Sequence, residues 1–301
     1  MRQAVIILGM HRSGTSAVAG AVTRLGLAAP RTPLAPTPDN PTGFHEPLPL
    51  IRLNDLVLKF LGCSWNACLS LDPDIFDEAA QATALETCTA ILRNEFAGEP
   101  AFVVKDPQLC LTLPIWLPAF RALDIAVTFL LIVRHPEEVA KSLFWRDMLP
   151  EAETAAVWLH HMLEAERMTR TAPRAIVLYT DLLDDWRGCM ARAGRVANLA
   201  WPDSTGLFRA DNGDVALPSL RHHVAPTGHA NVGMPPLRDL INEAWQAFRQ
   251  LADHPASHLV HKTLDDVRSR FATWRGPHAT SGTTALPTGR HPLRSAPGPH
   301  G

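Results

Sequence analysis

Val5-Ile6-Ile7-Leu8-Gly9-Met10-His11-Arg12-Ser13-Gly14-Thr15-Ser16 is the stretch that decides how this chain folds. Four apolar residues bounded by a glycine read as a buried parallel strand. From Ser16 onward the residues are small, and Val18, Val22 and Leu25 recur on one helical face. A strand, a glycine-bounded turn and a helix bring backbone N–H groups together on an anion, and the helix N-terminus adds a favourable dipole. Outward from this unit, strands and helices alternate. Residues 101–104, 125–133 and 175–179 read as strands. Residues 77–96, 113–123 and 151–170 read as helices, another begins at Pro136, and Asp181 is expected to cap the helix after the last strand. This alternation predicts an α/β fold, a three-layer doubly wound parallel sheet.

The glycine-bounded turn departs from the loop of nucleoside triphosphatases. That pattern is Gly, four residues, Gly, Lys, then Ser or Thr. Gly9 and Gly14 are in register, but Thr15 stands where the lysine belongs, and the positive charge lies inside the loop at Arg12. Without the lysine, chemistry on a magnesium triphosphate is disfavoured. Arg12, Ser13, Thr15 and Ser16 can still hold a 5′-phosphate through backbone N–H groups, hydroxyls and one guanidinium. An ordinary glycine turn is the weaker reading, because a basic residue and three hydroxyls crowd Gly14.

Bulk properties bound the partners. The chain has 301 residues and a formal net charge of −2, which argues against nucleic-acid binding through a basic surface. No secretory signal is read at the start, and residues 125–133 are too short to cross a bilayer as a helix. Five cysteines without a CxxC pair suggest reduced thiols and a cytoplasmic protein. His160-His161 and His222-His223 are adjacent pairs, without helical metal-ligand spacing, so no metal is expected. Residues 1–274 are expected to form one domain. It would include a proline-rich loop at 28–41, a loop at 218–229 and outer helices at 237–251 and 264–274. The Gly-, Pro- and Ser-rich residues 275–301 are expected to form a disordered tail.

In an open parallel sheet, ligands bind beyond the carboxyl ends of the strands. Arg12, Lys105 and Arg134 each lie at or just past such an end, and three cations on one edge are unlike scattered surface charge. Glu46 falls at or just before a helix start, with His45 beside it. It reads equally as a general base or as an acid favoured by the helix dipole. Phe44, Trp65 and Trp116 would suit an acceptor pocket, but core packing is the stronger reading.

With these residues in view, the sequence resembles the sulfotransferases that use 3′-phosphoadenosine 5′-phosphosulfate (PAPS), in the manner of their bacterial, carbohydrate-type members. The resemblance runs from Val5 to about Asn198. The Gly9–Ser16 stretch is similar to the family's 5′-phosphosulfate loop, and implies that His11, Arg12, Ser13, Gly14, Thr15 and Ser16 contact that group. Ile132-Val133-Arg134-His135-Pro136 followed by Ala140-Lys141-Ser142 resembles the 3′-phosphate motif, with Arg134 and Ser142 as its grip. Val104-Lys105-Asp106-Pro107 resembles the lysine-bearing strand end, which implies that Lys105 neutralises the leaving oxygen, while Arg12 stands near the position where many members carry a lysine on the sulfonate. Tyr179-Thr180-Asp181-Leu182-Leu183 matches a structural element of the family. A glutamate after the first helix serves the glycan and tyrosine enzymes and a histidine the cytosolic small-molecule enzymes, so Glu46 and His45 both stand as base. A basic C-terminal segment implies Arg221 as a further 3′-phosphate ligand. The implied reaction is sulfonyl transfer from PAPS to a hydroxyl or amine of a glycan, glycolipid or small metabolite, leaving 3′-phosphoadenosine 5′-phosphate (PAP), with no metal. A divergent nucleotide kinase or triphosphatase and a non-catalytic nucleotide-binding module are the alternatives.

Overall fold

The computed structural model describes residues 2–37, 40, 43–66, 68, 70–207, 224–225 and 228–278. Four strands form one parallel sheet in the order β2-β1-β3-β4: β1 Arg2–Leu8, β2 Ala101–Lys105, β3 Ile125–Val133 and β4 Arg174–Leu178. β1 is central, with Ile7 paired to Lys105 on one side and to Leu130 on the other. Ten α-helices surround the sheet among the described residues: α1 Thr15–Arg24, α2 Leu48–Phe60, α3 Glu78–Glu95, α4 Leu109–Ala122, α5 Pro136–Asp147, α6 Glu151–Thr169, α7 Tyr179–Asp184, α8 Trp186–Val196, α9 Leu237–Asp253 and α10 His258–His278. Among the described residues no helix is long and apolar enough to cross a membrane.

The two-residue period of the strands sorts the core into two layers. Ala4, Ile6, Leu8, Phe102, Val104, Phe129, Leu131, Val133 and Ile176 face the side covered by α3 to α6, α9 and α10. Val5, Ile7, Val103, Leu130, Ile132, Ala175 and Val177 face α1, α7 and α8. Helices on both faces make the expected three-layer, doubly wound arrangement. Strands buried on both faces explain why 125–133 is nearly continuous apolar sequence.

Some boundaries differ from the sequence reading. α4 begins at Leu109, a turn earlier than expected, because Pro107 sits just ahead of the helix and the Asp106 carboxylate receives the Gln108 N–H. β4 ends at Leu178, and Tyr179 opens α7. Asp181 is therefore not an N-cap: it lies inside α7 and pairs with Arg192, and Asp185 caps α8 by accepting from the Gly188 N–H. α9 and α10 are longer than expected and are core elements, contributing Leu240, Ile241, Phe248, Leu264 and Phe271 to the larger apolar layer. α10 continues to His278; residues 279–301 lie outside the described residues, as does most of the 218–229 loop. The far edge of the sheet is fastened by Glu166, fully buried on α6. It accepts from Arg170 and Arg174 at 2.6–3.0 Å, and Arg268 of α10 reaches it at 3.4 Å.

Candidate functional site

β2 lies on one flank of β1 and β3 on the other, so the strand order reverses between the tips of β1 and β3. Such a reversal opens a crevice at the carboxyl edge. The turn from Gly9 to Gly14 fills the tip of β1, and Arg134 stands one residue past the end of β3.

Gly9 and Gly14 are required by close approach. A Cβ on Gly9 would come within 2.5 Å of Ile132, and one on Gly14 within 2.4 Å of the Tyr179 ring. Arg12 has a left-handed φ of 66°, a conformation uncommon outside glycine and typical of functional turns. The turn is closed by the Ser13 N–H on the Met10 carbonyl at 3.1 Å, and α1 begins directly after Gly14. Ser13 is fully buried, and its Oγ finds no hydrogen-bond partner among the described residues. A buried hydroxyl of this kind is a site for a ligand oxygen or an ordered water.

Arg134 crosses from β3 to this turn. Its Nη1 donates to the Arg12 carbonyl at 2.9 Å, its Nε donates to Glu138 Oε2 at 2.8 Å, and its guanidinium stacks 4.5 Å over the Tyr179 ring. Glu138 Oε1 accepts in turn from the Ala225 N–H at 3.0 Å. Ser142, two turns into α5, accepts from Arg12 Nε at 2.9 Å. The two residues expected at a 3′-phosphate are thus both bonded to the loop expected at a 5′-phosphosulfate.

Lys105 enters from β2. Its Nζ donates to Ser16 Oγ at 3.1 Å and forms a buried ion pair with Glu46 Oε1. Asn40 Nδ2 lies 3.4 Å from the same Ser16 hydroxyl. Glu46 sits two residues before α2, whose N-cap is Pro47, so its carboxylate does not cap the helix. His45, half-buried beside it, has its imidazole pushed down by burial and then by the Lys105 charge. Thr15 is buried at the start of α1.

His11 packs on Trp65 with ring centroids 4.5 Å apart, and the Arg146 guanidinium lies 5.8 Å from the centroid of the same Trp65 ring. Burial first, then the charges of Arg146, His161, Lys105 and Arg12, hold His11 well below the usual imidazole range. Trp65 and Phe44 are half-buried, whereas Trp116 is core, as the sequence favoured. Arg221 lies outside the described residues.

Sequence reasoning missed the support behind Lys105. Asp106, buried, accepts from Asn54 Nδ2 at 2.8 Å and from the Gln108 N–H at 3.0 Å. Asn54 Oδ1 accepts from Trp116 Nε1 at 2.8 Å. Burial and the nearby Glu46 carboxylate push Asp106 up to about 7, against the two hydrogen bonds it accepts. Adjacency of Asp106 to the strand-end lysine was the only signal available.

Chemically, the arrangement offers a backbone-lined anion cradle, cations from three strand tips, and a carboxylate held on one of them. No protein-family model matches this chain, and no curated protein matches it either. Among solved structures, three similar folds are sulfotransferases. The sulfotransferase domain of the Synechococcus PCC 7002 olefin synthase is 18% identical, with a TM-score of 0.42 over 85% of this chain and 95% of that one. The sulfotransferase domain of the curacin biosynthetic pathway is 14% identical, with a TM-score of 0.41 over 89% and 98%. Sulfotransferase STF9 from Mycobacterium avium is 17% identical, with a TM-score of 0.42 over 68% of this chain and 66% of that one.

Proposed function

We propose that this protein is a sulfotransferase that moves a sulfonyl group from PAPS to a hydroxyl or amine of a glycan, glycolipid or small metabolite. The observation that carries the reading is the contact between the two anion-binding motifs: Arg134 Nη1 on the Arg12 carbonyl, and Arg12 Nε on Ser142. One ligand bearing phosphates at both ends of a ribose is the partner that uses both motifs. The orphaned Ser13 hydroxyl inside the cradle fits a donor oxygen.

In this reading the acceptor oxygen attacks sulfur in line, and the bond from sulfur to the 5′-phosphate oxygen breaks. The acceptor proton passes to Glu46 or His45. The charge that develops on the departing phosphate is met by Lys105 and by the N–H groups of the loop, which need no rearrangement as the reaction proceeds. Arg12 and Arg134 hold the donor by charge-assisted hydrogen bonds. A lysine absent from the position of Thr15 argues against transfer from a magnesium triphosphate.

Titration calorimetry with PAP tests the reading. Binding is expected to exceed that of AMP, and Arg134→Ala is expected to abolish the difference, a loss of about 30–150-fold for two to three kcal/mol of charged hydrogen bonding. Equal affinity for PAP and AMP in the wild-type protein, or magnesium-dependent ATP turnover, would defeat it.

A further inference from the structure

We infer that Asn54 and Asp106 are positioning residues for the reacting carboxylate: they fasten α2 to the tip of β2 and so seat Glu46 on Lys105. The inference rests on the sulfotransferase reading above, with Glu46 rather than His45 as the proton acceptor and Lys105 at the departing phosphate.

Lys105 and Asp106 are consecutive, and their side chains serve different partners. Lys105 meets Ser16 and Glu46; Asp106 meets Asn54. Asn54 is fully buried, and its amide is used at both ends, donating to Asp106 and accepting from Trp116. That pairing fixes which way the amide points, because reversing it would set N–H against N–H at Trp116. A second strut ties α2 to the N-cap of α4, where Gln108 Nε2 donates to Oδ1 of Asp55, the residue after Asn54, at 2.9 Å.

Glu46 lies eight residues before Asn54 in sequence and is joined to α2 through Pro47, whose φ is −64°. A proline at the N-cap and a continuous helix transmit the anchor at Asn54 to Glu46 with little slack. The Glu46 carbonyl accepts from the Leu34 N–H at 2.8 Å, which holds the backbone to the preceding loop. The Leu48 N–H donates to the Thr32 carbonyl at 2.9 Å, and the anchor on β2 adds the constraint that brings the carboxylate to Lys105. An amide–carboxylate pair deep in the protein is also costly to leave half-made, so the anchor is all-or-none.

An exchange experiment separates positioning from bulk packing. Asp106→Asn alone points an amide NH2 at either the Asn54 amide or the Gln108 N–H, both of them donors. Asn54→Asp alone sets two carboxylates together. Combining Asn54→Asp with Asp106→Asn restores every hydrogen bond. The amide now on the tip of β2 donates to the carboxylate now on α2 and accepts from the Gln108 N–H, and that carboxylate also accepts from Trp116 Nε1. PAP release from PAPS, with water as acceptor, gives kcat and KM without knowledge of the natural acceptor, and calorimetry gives PAP affinity. Each single variant is expected to lose at least tenfold in kcat with PAP affinity changed less than threefold, and the exchanged pair to recover to within about threefold of wild type. A crystal structure of Asp106→Asn should find Glu46 drawn away from Lys105. Single variants with wild-type kcat, an exchanged pair no better than the worse single or unable to fold, or Glu46 still seated in Asp106→Asn, would each overturn the inference. Failure of the wild-type protein to bind PAP would instead defeat the sulfotransferase reading, and the position of Glu46 in the variant would still decide this one.

Discussion

Lys105 and Glu46 offer the sharpest test of the site, because their contact is buried on both sides. The lysine side chain is 2% exposed and the glutamate 10%. Taking two charges out of water is costly, and the pair is tolerated only because each neutralises the other and Ser16 Oγ accepts a further N–H of the ammonium. Lys105→Met keeps the length of the side chain and removes the charge. It leaves a carboxylate stranded beside Asp106, and breaking a buried pair from one side costs about 3–5 kcal/mol. Glu46→Gln keeps an acceptor oxygen for the ammonium and should cost about 1–3 kcal/mol. The double variant leaves neither charge uncompensated, so its loss should fall below the sum of the singles by about 1.5–3 kcal/mol. Urea denaturation measures this through midpoints at constant slope. Additivity within about 0.5 kcal/mol would refute the reasoning, since residues in contact do not behave independently.

Gly14→Ala should destabilise the protein by about 2–4 kcal/mol in the same assay, combining a left-handed φ of 93° with a Cβ 2.4 Å from the Tyr179 ring. PAP affinity should fall at least tenfold as Tyr179 moves from under Arg134, and wild-type behaviour in both measurements would contradict the close approach. Acid stability depends on buried histidines: His161 is pushed down to about 3 by burial and by His160, so the unfolded chain binds a proton there that the folded chain does not. Its contribution is full above about pH 6.5 and is lost as pH falls toward about 3, so His161→Phe should flatten the pH dependence between about pH 6 and 5 by about 1 kcal/mol per pH unit. Asp106 acts with the opposite sign, since burial and the Glu46 carboxylate raise its carboxyl above the unfolded value, so that the folded chain binds more proton there than the unfolded chain does. Asp106→Asn should therefore steepen the same slope by a similar amount, and unchanged slopes in both variants would show that neither group is buried as described.

The sheet was legible because its strands are buried on both faces, which leaves uninterrupted apolar runs such as 125–133 ending in charged or glycine-bounded turns. Arg12, Lys105 and Arg134 were legible for the same reason, since a cation at or shortly past the end of such a run is carried to the carboxyl edge of the sheet. The start of α4 was harder to read, because Pro107 suggests a break and Asp106 serves both the strand end and the helix start. Asp181 resembles a cap because it is an acid after a strand, whereas Tyr179 already opens the helix. Asn54 was invisible: its partners lie 52 and 62 residues away, and no local spacing joins an amide on one helix to a carboxyl on a later strand tip. The hydrogen bond from Arg12 to Ser142 spans 130 residues and was hidden likewise, although each residue was singled out for its own motif.

Arg12, Glu46, Lys105, Arg134 and Ser142 all come before α6, yet β3 pairs along its second edge with β4, and the larger apolar layer is closed by α9 and α10. A fragment ending after α5 would carry all these candidate site residues and none of that cover. It would expose the edge of β3 as a row of unpaired backbone groups and set Phe129 and Leu131 against water. The candidate site and the cover of the sheet thus lie in different halves of one polypeptide, and engineering that trims the distal helices should forfeit the first by way of the second.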